Sequence, residues 1–204
     1  LITRLLIVLN VLAYVWEVLT GALNSNVALV NHGALLPVAV LQYNQWWRIV
    51  SSGFLHANLL HIGVNMLSLY MLGRFIEQVL GSPRMFVVYM GSLMGGGLAV
   101  TFFAAPDAPT LGASGAIFGL FGALFAIGLK LGERGGELVR ANIGILIVNL
   151  IITFSVPIIS WQAHIGGLIT GFLLTLVLFW PPKPVRTRAY DPNTGAVYES
   201  QLES

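Results

Sequence analysis

The sequence predicts an all-α integral membrane protein: a bundle of six spanning helices with a long, membrane-associated loop after the first. Three observations predict it. Of the 204 residues, 56% are hydrophobic and only 9% charged, whereas soluble domains carry about 25% charged residues. The apolar residues gather in six blocks, roughly 4–20, 59–80, 85–105, 114–131, 141–159 and 163–180, each close to the ~20 residues a helix needs to cross a bilayer. The cations are segregated as well. With six spans, Arg4, Arg74, Arg84, Lys130, Arg134, Arg140, Lys183, Arg186 and Arg188 fall on one side and Arg48 alone on the other. Positive loops stay in the cytoplasm, so the split supports the span count and puts both termini there. Losing or adding one helix would scatter the charges. Helices are favoured over barrel strands because they satisfy their own amides in lipid, and Leu-, Gly- and Ala-rich blocks lack the alternation of barrel strands.

The first block is too long and too well integrated to be a cleaved signal peptide. The chain begins at Leu1 and not Met, which suggests a trimmed N-terminal segment. Residues 21–58 form the one long connection, with Tyr43, Trp46, Trp47 and Arg48 among many apolar residues. Aromatic residues favour the membrane interface, so this loop is expected partly in the outer leaflet. The second block opens with His61 and Asn65, the fourth with Ser114 and the sixth with His164. A short charged loop is expected at 132–140, and Val156-Pro157 disturbs the end of the fifth block. The six-helix domain is expected over 1–182. Residues 183–204 turn abruptly polar, with Pro182, Pro184 and Pro192 at or near the change, and read as a disordered cytoplasmic tail. No internal repeat is evident, which weakens an inverted-repeat transporter reading.

Topology alone brings four polar groups together. The second, fourth and sixth blocks all run from outside to inside, so His61, Asn65, Ser114 and His164 lie at similar depth in the outer leaflet. Polar groups at such depth are costly and are functional candidates by default. A serine hydroxyl needs a base and donors for an oxyanion. The start of a helix supplies free N–H groups and the positive end of the dipole. His164 is the natural general base at neutral pH. The alternative for Ser114 is a small packing residue, and for His164 a hydrogen bond to a buried carbonyl. Gly167 and Gly171 share a face with His164, and Gly115, Gly119, Gly122 and Ala126 form a second small-residue stripe. Packing the two stripes would bring Ser114 and His164 together. His61 and Asn65, at i and i+4, share one face, and both can donate hydrogen bonds to an oxyanion.

Zinc is disfavoured, because His32, His56, His61 and His164 are the only histidines and no HExxH spacing occurs. With no cysteine, thiolate catalysis and disulfides are excluded. No cofactor and no nucleic-acid partner is expected. For a third triad member, Asp107 lies in a loop, Glu77 near the cytoplasmic end of its helix, and Glu17 near the outer end of the first block as a candidate interface residue. A Ser–His dyad is the more economical reading, with packing orienting the imidazole. Phe118, one turn below Ser114, is a candidate for stacking on it or an ordinary packing residue. Gln162, Asn58 and His56 are candidates, as exposed loop residues, for the mouth of a water-filled cavity.

These residues resemble a known family. Gly112-Ala113-Ser114-Gly115 resembles the rhomboid GxSG motif, and the stretch from Ala163-His164 through Gly167 to Gly171 resembles its AHxxGxxxG motif. His61 to Asn65 resembles HxxxN, and Trp47-Arg48 a Trp-Arg pair of the first loop. The resemblance covers about residues 1–180, and three motifs in order at the right helix ends are highly specific. It implies an intramembrane serine protease with Ser114 as nucleophile and His164 as base. His61, Asn65 and the Ser114 amide would form the oxyanion hole. Single-span membrane proteins would be the substrates, with membrane lipid as surroundings, and a bacterial inner membrane the location. Many bacterial members have Tyr at the position of Phe118. Stacking survives that change, but a phenolic role does not. A transporter and a non-catalytic membrane chaperone are the competing readings. Clustering of the polar groups in one leaflet argues against the first, and the intact Ser114 and His164 against the second.

Overall fold

The computed structural model describes residues 1–181, 185–190 and 197–202. Long helices form where the apolar blocks lie: α1 (Ile2–Thr20), a continuous helix over 59–80, α7 (Ser82–Phe103), α8 (Ser114–Lys130), α9 (Glu133–Ser155) and α10 (Trp161–Leu178). The 59–80 helix comprises α5 (Leu59–Ser68), one π-helical turn over Leu69–Gly73, and α6 (Arg74–Leu80). Five of these six are long and apolar enough to cross a bilayer. The sixth, α8, has 17 residues and spans about 25 Å at 1.5 Å per residue, short of a hydrocarbon core of about 30 Å. It can be short because it is the central helix and protein, not lipid, surrounds it. Nearly every residue from Gly115 to Gly128 is buried. Ser114, at its first position, is half-buried at one end of this central helix.

Glycine sets the spacing of the centre. A Cβ on Gly167 would lie 2.7 Å from the Gly115 carbonyl carbon, and one on Gly171 2.5 Å from that of Gly119. Backbone thus meets backbone along α8 and α10, as small residues permit in membranes. The far side of α10 packs equally closely on α7, a contact the two-stripe reading of the sequence does not include. A Cβ on Gly96 would lie 2.6 Å from the Ala163 carbonyl oxygen, and one on Gly166 2.9 Å from that of Gly95. The C-terminus of α10 is closed by Lys130, whose Nζ donates to the Phe179 carbonyl at 2.6 Å and to that of Leu176. A cation there also meets the negative end of the helix dipole.

Two expectations are corrected. The charged stretch 133–140 is helical and forms the start of α9. Glu, Arg and Leu are good helix formers, and Gly135 packs against the Gly128 backbone of α8. The tail is not wholly irregular: β1 (Val185–Tyr190) and β2 (Val197–Leu202) pair as an antiparallel ribbon, Val185 opposite Leu202 and Tyr190 opposite Val197. Ladder hydrogen bonds satisfy the backbone there despite the polar composition. Pro182, Lys183, Pro184 and Pro192 lie outside the described residues.

The long first connection is a compact layer. It contains α2 (Asn26–Asn31), α3 (Pro37–Tyr43) and α4 (Arg48–Ser51), with two short 3₁₀ turns. Ser25 caps α2, and Pro37 occupies the first turn of α3, where its missing N–H is not needed. Arg48 is buried and is the layer's anchor. Its Nε donates to Gln45 Oε1 at 2.6 Å, and its Nη1 donates to the carbonyls of Val30 at 2.6 Å and Ala34 at 2.8 Å. The guanidinium also lies 4.7 Å over the Trp47 ring. Burial lowers the Arg48 pKa. Tyr43, Trp46 and Trp47 stay exposed, as interfacial aromatics do.

Candidate functional site

The GxSG segment is held from three directions. Leu35 and Thr110 exchange both backbone hydrogen bonds at 2.8 Å, and the Gly112 N–H donates to the Ser52 carbonyl at 2.8 Å. The first-loop layer thereby fixes the entry to α8. Gly112 has φ +121°, and a Cβ there would lie 2.8 Å from Cε1 and Nε2 of His61. Both the backbone conformation and the close approach require glycine. The next residues are Ala113 and Ser114. No side chain caps α8 at Ala113, so the first-turn amides of Ser114, Gly115 and Ala116 are unused donors at the positive end of the dipole.

His164 reaches Ser114 from the first turn of α10. Ser160 caps that helix, accepting from the Ala163 N–H at 3.3 Å. His164 Nε2 lies 2.8 Å from Ser114 Oγ. The imidazole is 7% exposed and stacks on Phe118, with ring centroids 4.0 Å apart and planes 12° from parallel. Its other nitrogen, Nδ1, lies 2.7 Å from Thr153 Oγ1 on α9. The sequence reading missed Thr153. A lone threonine in an apolar block carries no motif, and only the approach of α9 to α10 gives it a partner.

His61 and Asn65 face the same point from α5. Asn58 caps α5, accepting from the His61 N–H at 2.9 Å. The Ala57 N–H donates to His61 Nδ1 at 3.3 Å, which leaves the ring proton on Nε2, the atom nearest Gly112. Asn65 is 6% exposed, and its Nδ2 has no acceptor among the described residues. That nitrogen would be 3.8 Å from a Cβ on Gly112. A buried amide donor without a partner is costly, so its orientation toward Gly112 is itself informative. The structure thus gathers all five expected residues: His164 touches both Ser114 and Phe118, and His61 and Asn65 lie against Gly112. Beside them is a cavity of about 20 Å³ lined by Ser52, Gly96, Gly112, Gly115 and Ala163 among others, room for one water molecule.

Other candidates lie elsewhere. Glu17 is not an interface residue. It is fully buried, and its carboxylate accepts the His56 N–H at 3.0 and 3.2 Å. His56 is not a cavity-mouth residue either. It is fully buried, with its ring edge-to-face on His61 at 5.0 Å, and desolvation with His61 alongside pushes its pKa down to about 4. Asn58 serves as the α5 cap. Gln162 is half-buried and donates to the Phe103 carbonyl at 3.2 Å, tying α10 to the end of α7. Asp107 is exposed in its loop. Glu77 accepts the N–H groups of Ile2 and Thr3 at 2.7 and 3.0 Å at the start of α1, the end of the bundle away from Ser114. Among the described residues no group of three or more His, Cys, Asp or Glu side chains is arranged to hold a metal.

Residues 43–181 match the Rhomboid domain, more than half of the chain. The chain belongs to the rhomboid family. Among its relatives, rhomboid protease GluP of Bacillus subtilis (strain 168) is 34% identical over 180 residues, 88% of this chain and 35% of that protein. Putative rhomboid protease YdcA of the same organism is 34% identical over 134 residues, 65% of this chain and 67% of the relative. RHOMBOID-like protein 2 of Arabidopsis thaliana is 35% identical over 155 residues, 74% of this chain and 48% of the relative. This rhomboid chain therefore spans from about a third to two thirds of the length of these relatives. Its described residues form a multi-pass, all-helical membrane bundle carrying one small β-ribbon.

Proposed function

We propose that this rhomboid chain is an intramembrane serine endopeptidase that hydrolyses peptide bonds in or near the transmembrane segments of membrane proteins. The observation that carries the proposal is the 2.8 Å contact between Ser114 Oγ and His164 Nε2, recessed beside free helix-start amides. Ser114 Oγ attacks the scissile carbonyl while His164 Nε2 takes its proton. The oxyanion accepts hydrogen bonds from the Ser114 N–H, Asn65 Nδ2 and His61 Nε2–H. His164 then gives the proton to the departing amine, and a water activated by the same imidazole cleaves the acyl-serine ester. Ser114 and His164 form a dyad, and stacking on Phe118 holds the ring. The reading involves neither metal nor cofactor.

Single-span membrane proteins, entering from surrounding lipid, are the proposed substrates. The segment to be cut must unwind, because a helix shields its own carbonyls. The cation distribution supports cytoplasmic termini and a site open to the outer face, with 183–204 as a cytoplasmic tail. We place the movable side at α9 and the loop before α10. α9 buries less of itself than any other long helix, and it stops at Ser155 with Val156 extended before Pro157. A crosslink pinning α9 to α5 is expected to block cleavage of a membrane substrate, and unaffected cleavage would remove that role.

The direct test uses purified wild type, Ser114→Ala and His164→Ala in detergent. Wild type should react with a fluorophosphonate probe and cleave a single-span substrate, and both variants should do neither while keeping the wild-type melting temperature. Cleavage that persists in both variants would refute the dyad. A transporter or chaperone would not label.

A further inference from the structure

The proposed dyad lacks the carboxylate that orients histidine in serine hydrolases, and the structure assigns that positioning role to Thr153. We propose that Thr153 selects the tautomer of His164 that can accept a proton from Ser114. The inference rests on the Ser114–His164 reading and deepens it.

The argument counts protons. A neutral imidazole carries one ring proton, on either nitrogen. Only the form protonated at Nδ1 leaves Nε2 bare to accept from Ser114. Thr153 has a single hydroxyl proton, and its Oγ1 lies 2.7 Å from both the Asn149 carbonyl and His164 Nδ1. The carbonyl cannot donate, so the hydroxyl proton goes to Asn149, the i−4 back-bond usual for a helical threonine. The oxygen of Thr153 is then an acceptor toward His164, and the ring proton must sit on Nδ1. The hydrogen bonds run one way: Ser114 O–H to Nε2, Nδ1–H to Thr153 Oγ1, and Thr153 O–H to the Asn149 carbonyl. The opposite arrangement would put a proton on Nε2 and leave the Ser114 hydroxyl proton without an acceptor among the described residues. Thr153 is 3% exposed, so water does not compete for the contact.

The carboxylates that could serve instead are placed elsewhere, which leaves the role to Thr153 by position. Glu17 is engaged with the His56 backbone, Glu77 with the start of α1, and Asp107 is exposed. A threonine oxygen is neutral, so it orients the ring and fixes its tautomer but adds little to the stability of the imidazolium. Its removal should therefore cost much less than the roughly 10⁴-fold lost when the triad aspartate of chymotrypsin-type enzymes becomes asparagine. The contact also joins two helices. Thr153 belongs to the last turn of α9 and His164 to the first of α10, so the base is fully oriented only while α9 is in place.

The experiment compares wild type, Thr153→Val and Thr153→Ser in detergent. Fluorophosphonate labelling rates, kcat and KM for a single-span substrate, and ¹⁵N chemical shifts of the His164 ring are measured. Valine keeps the branched shape without the hydroxyl, and serine keeps the hydroxyl. Expected for Thr153→Val is a roughly 5–30-fold fall in labelling rate and kcat, the worth of one neutral hydrogen bond, with KM unchanged. Thr153→Ser should restore most of the rate. The wild-type ring should show Nδ1–H, and the valine variant a mixture of tautomers. A wild-type ring protonated at Nε2 would overturn the proposal, as would a valine variant at full rate or equal losses in both variants. The ring shifts require no turnover. If Ser114→Ala and wild type prove equally inert, the protease reading fails while the shifts still decide the role of Thr153.

Discussion

Replacing Gly167 by alanine should separate the two halves of the site without touching either polar residue. A Cβ at Gly167 would lie 2.7 Å from the Gly115 carbonyl carbon and closer still to its oxygen. Carbon atoms settle at about 3.5–4.0 Å, so α8 and α10 must part by about 1 Å. The obstacle is backbone on both sides, and no side chain can swing away. Gly115 follows Ser114 directly, and Gly167 is one turn beyond His164, so the displacement falls on the Ser114–His164 contact. At 2.8 Å that hydrogen bond would stretch to roughly 3.8 Å, beyond the usual limit of about 3.2 Å for N···O. Overpacking of this kind costs about 1–3 kcal/mol of stability, and a misplacement of about 1 Å costs roughly 10²-fold in rate. The assay pairs a detergent melting curve with the rate of fluorophosphonate labelling. Gly167→Ala should melt earlier and label about a hundredfold more slowly, and Gly167→Val should fail to fold. Gly144→Ala serves as the control. Gly144 lies on the exposed face of α9 with nothing within 4 Å of a Cβ, and alanine there should if anything help the helix. A Gly167→Ala protein that labels at the wild-type rate would refute the close-packing argument.

Three further outcomes are expected. Asn65→Ala should slow cleavage by no more than about 10²–10³-fold, since other oxyanion donors remain. It should not lower the melting temperature, because Asn65 Nδ2 has no acceptor to lose; a large loss of stability would mark Asn65 as structural instead. Arg48→Lys should loosen the first-loop layer by about 1.5–3 kcal/mol, because an ammonium cannot reproduce the guanidinium fork that serves Gln45, Val30 and Ala34. Limited proteolysis within 21–58 reads this out, and wild-type resistance would contradict it. His56 should make its own contribution to the first-loop layer sensitive to acid. The His56 pKa is held at about 4, below its ordinary 6.5, so the folded state binds this proton less readily than the unfolded one. The stabilisation is complete above about pH 6.5 and is lost as pH falls toward 4, by about 3 kcal/mol in all. Melting curves of wild type and His56→Gln between pH 7 and 4 should diverge by about this amount, the variant gaining relative to wild type as pH falls; parallel curves would exclude a contribution from His56.

Much of the site was legible because bilayer chemistry restricts what a sequence can mean. A serine and a histidine at the starts of the fourth and sixth blocks, with His61 and Asn65 at the start of the second, share a depth by parity alone. The starts of the three helices that carry these residues were legible for the same reason, and the glycine stripes gave the α8–α10 contact. Residues whose roles depend on a partner far along the chain were not legible. Glu17 reads as an interface carboxylate until the first loop folds back and presents the His56 amide to it. His56 reads as an exposed loop residue until the same fold buries it against His61. The stretch 133–140 reads as a loop because its charges mask good helix formers.

The sequence by itself determined the class, most of the helices, the motifs and the common end of the bundle at which the polar groups meet. Those follow from the cost of unpaired amides and charges in hydrocarbon, which acts on each segment separately. Only the tertiary structure decided which atoms touch. It set the 2.8 Å between Ser114 and His164, the stacking of Phe118 and the hydroxyl of Thr153 on Nδ1. It also left Asn65 Nδ2 without an acceptor among the described residues and close to Gly112. Hydropathy fixes the depth of a residue along its helix, but the rotation and spacing of helices come from close packing, and a hydrogen bond is made or lost within half an ångström.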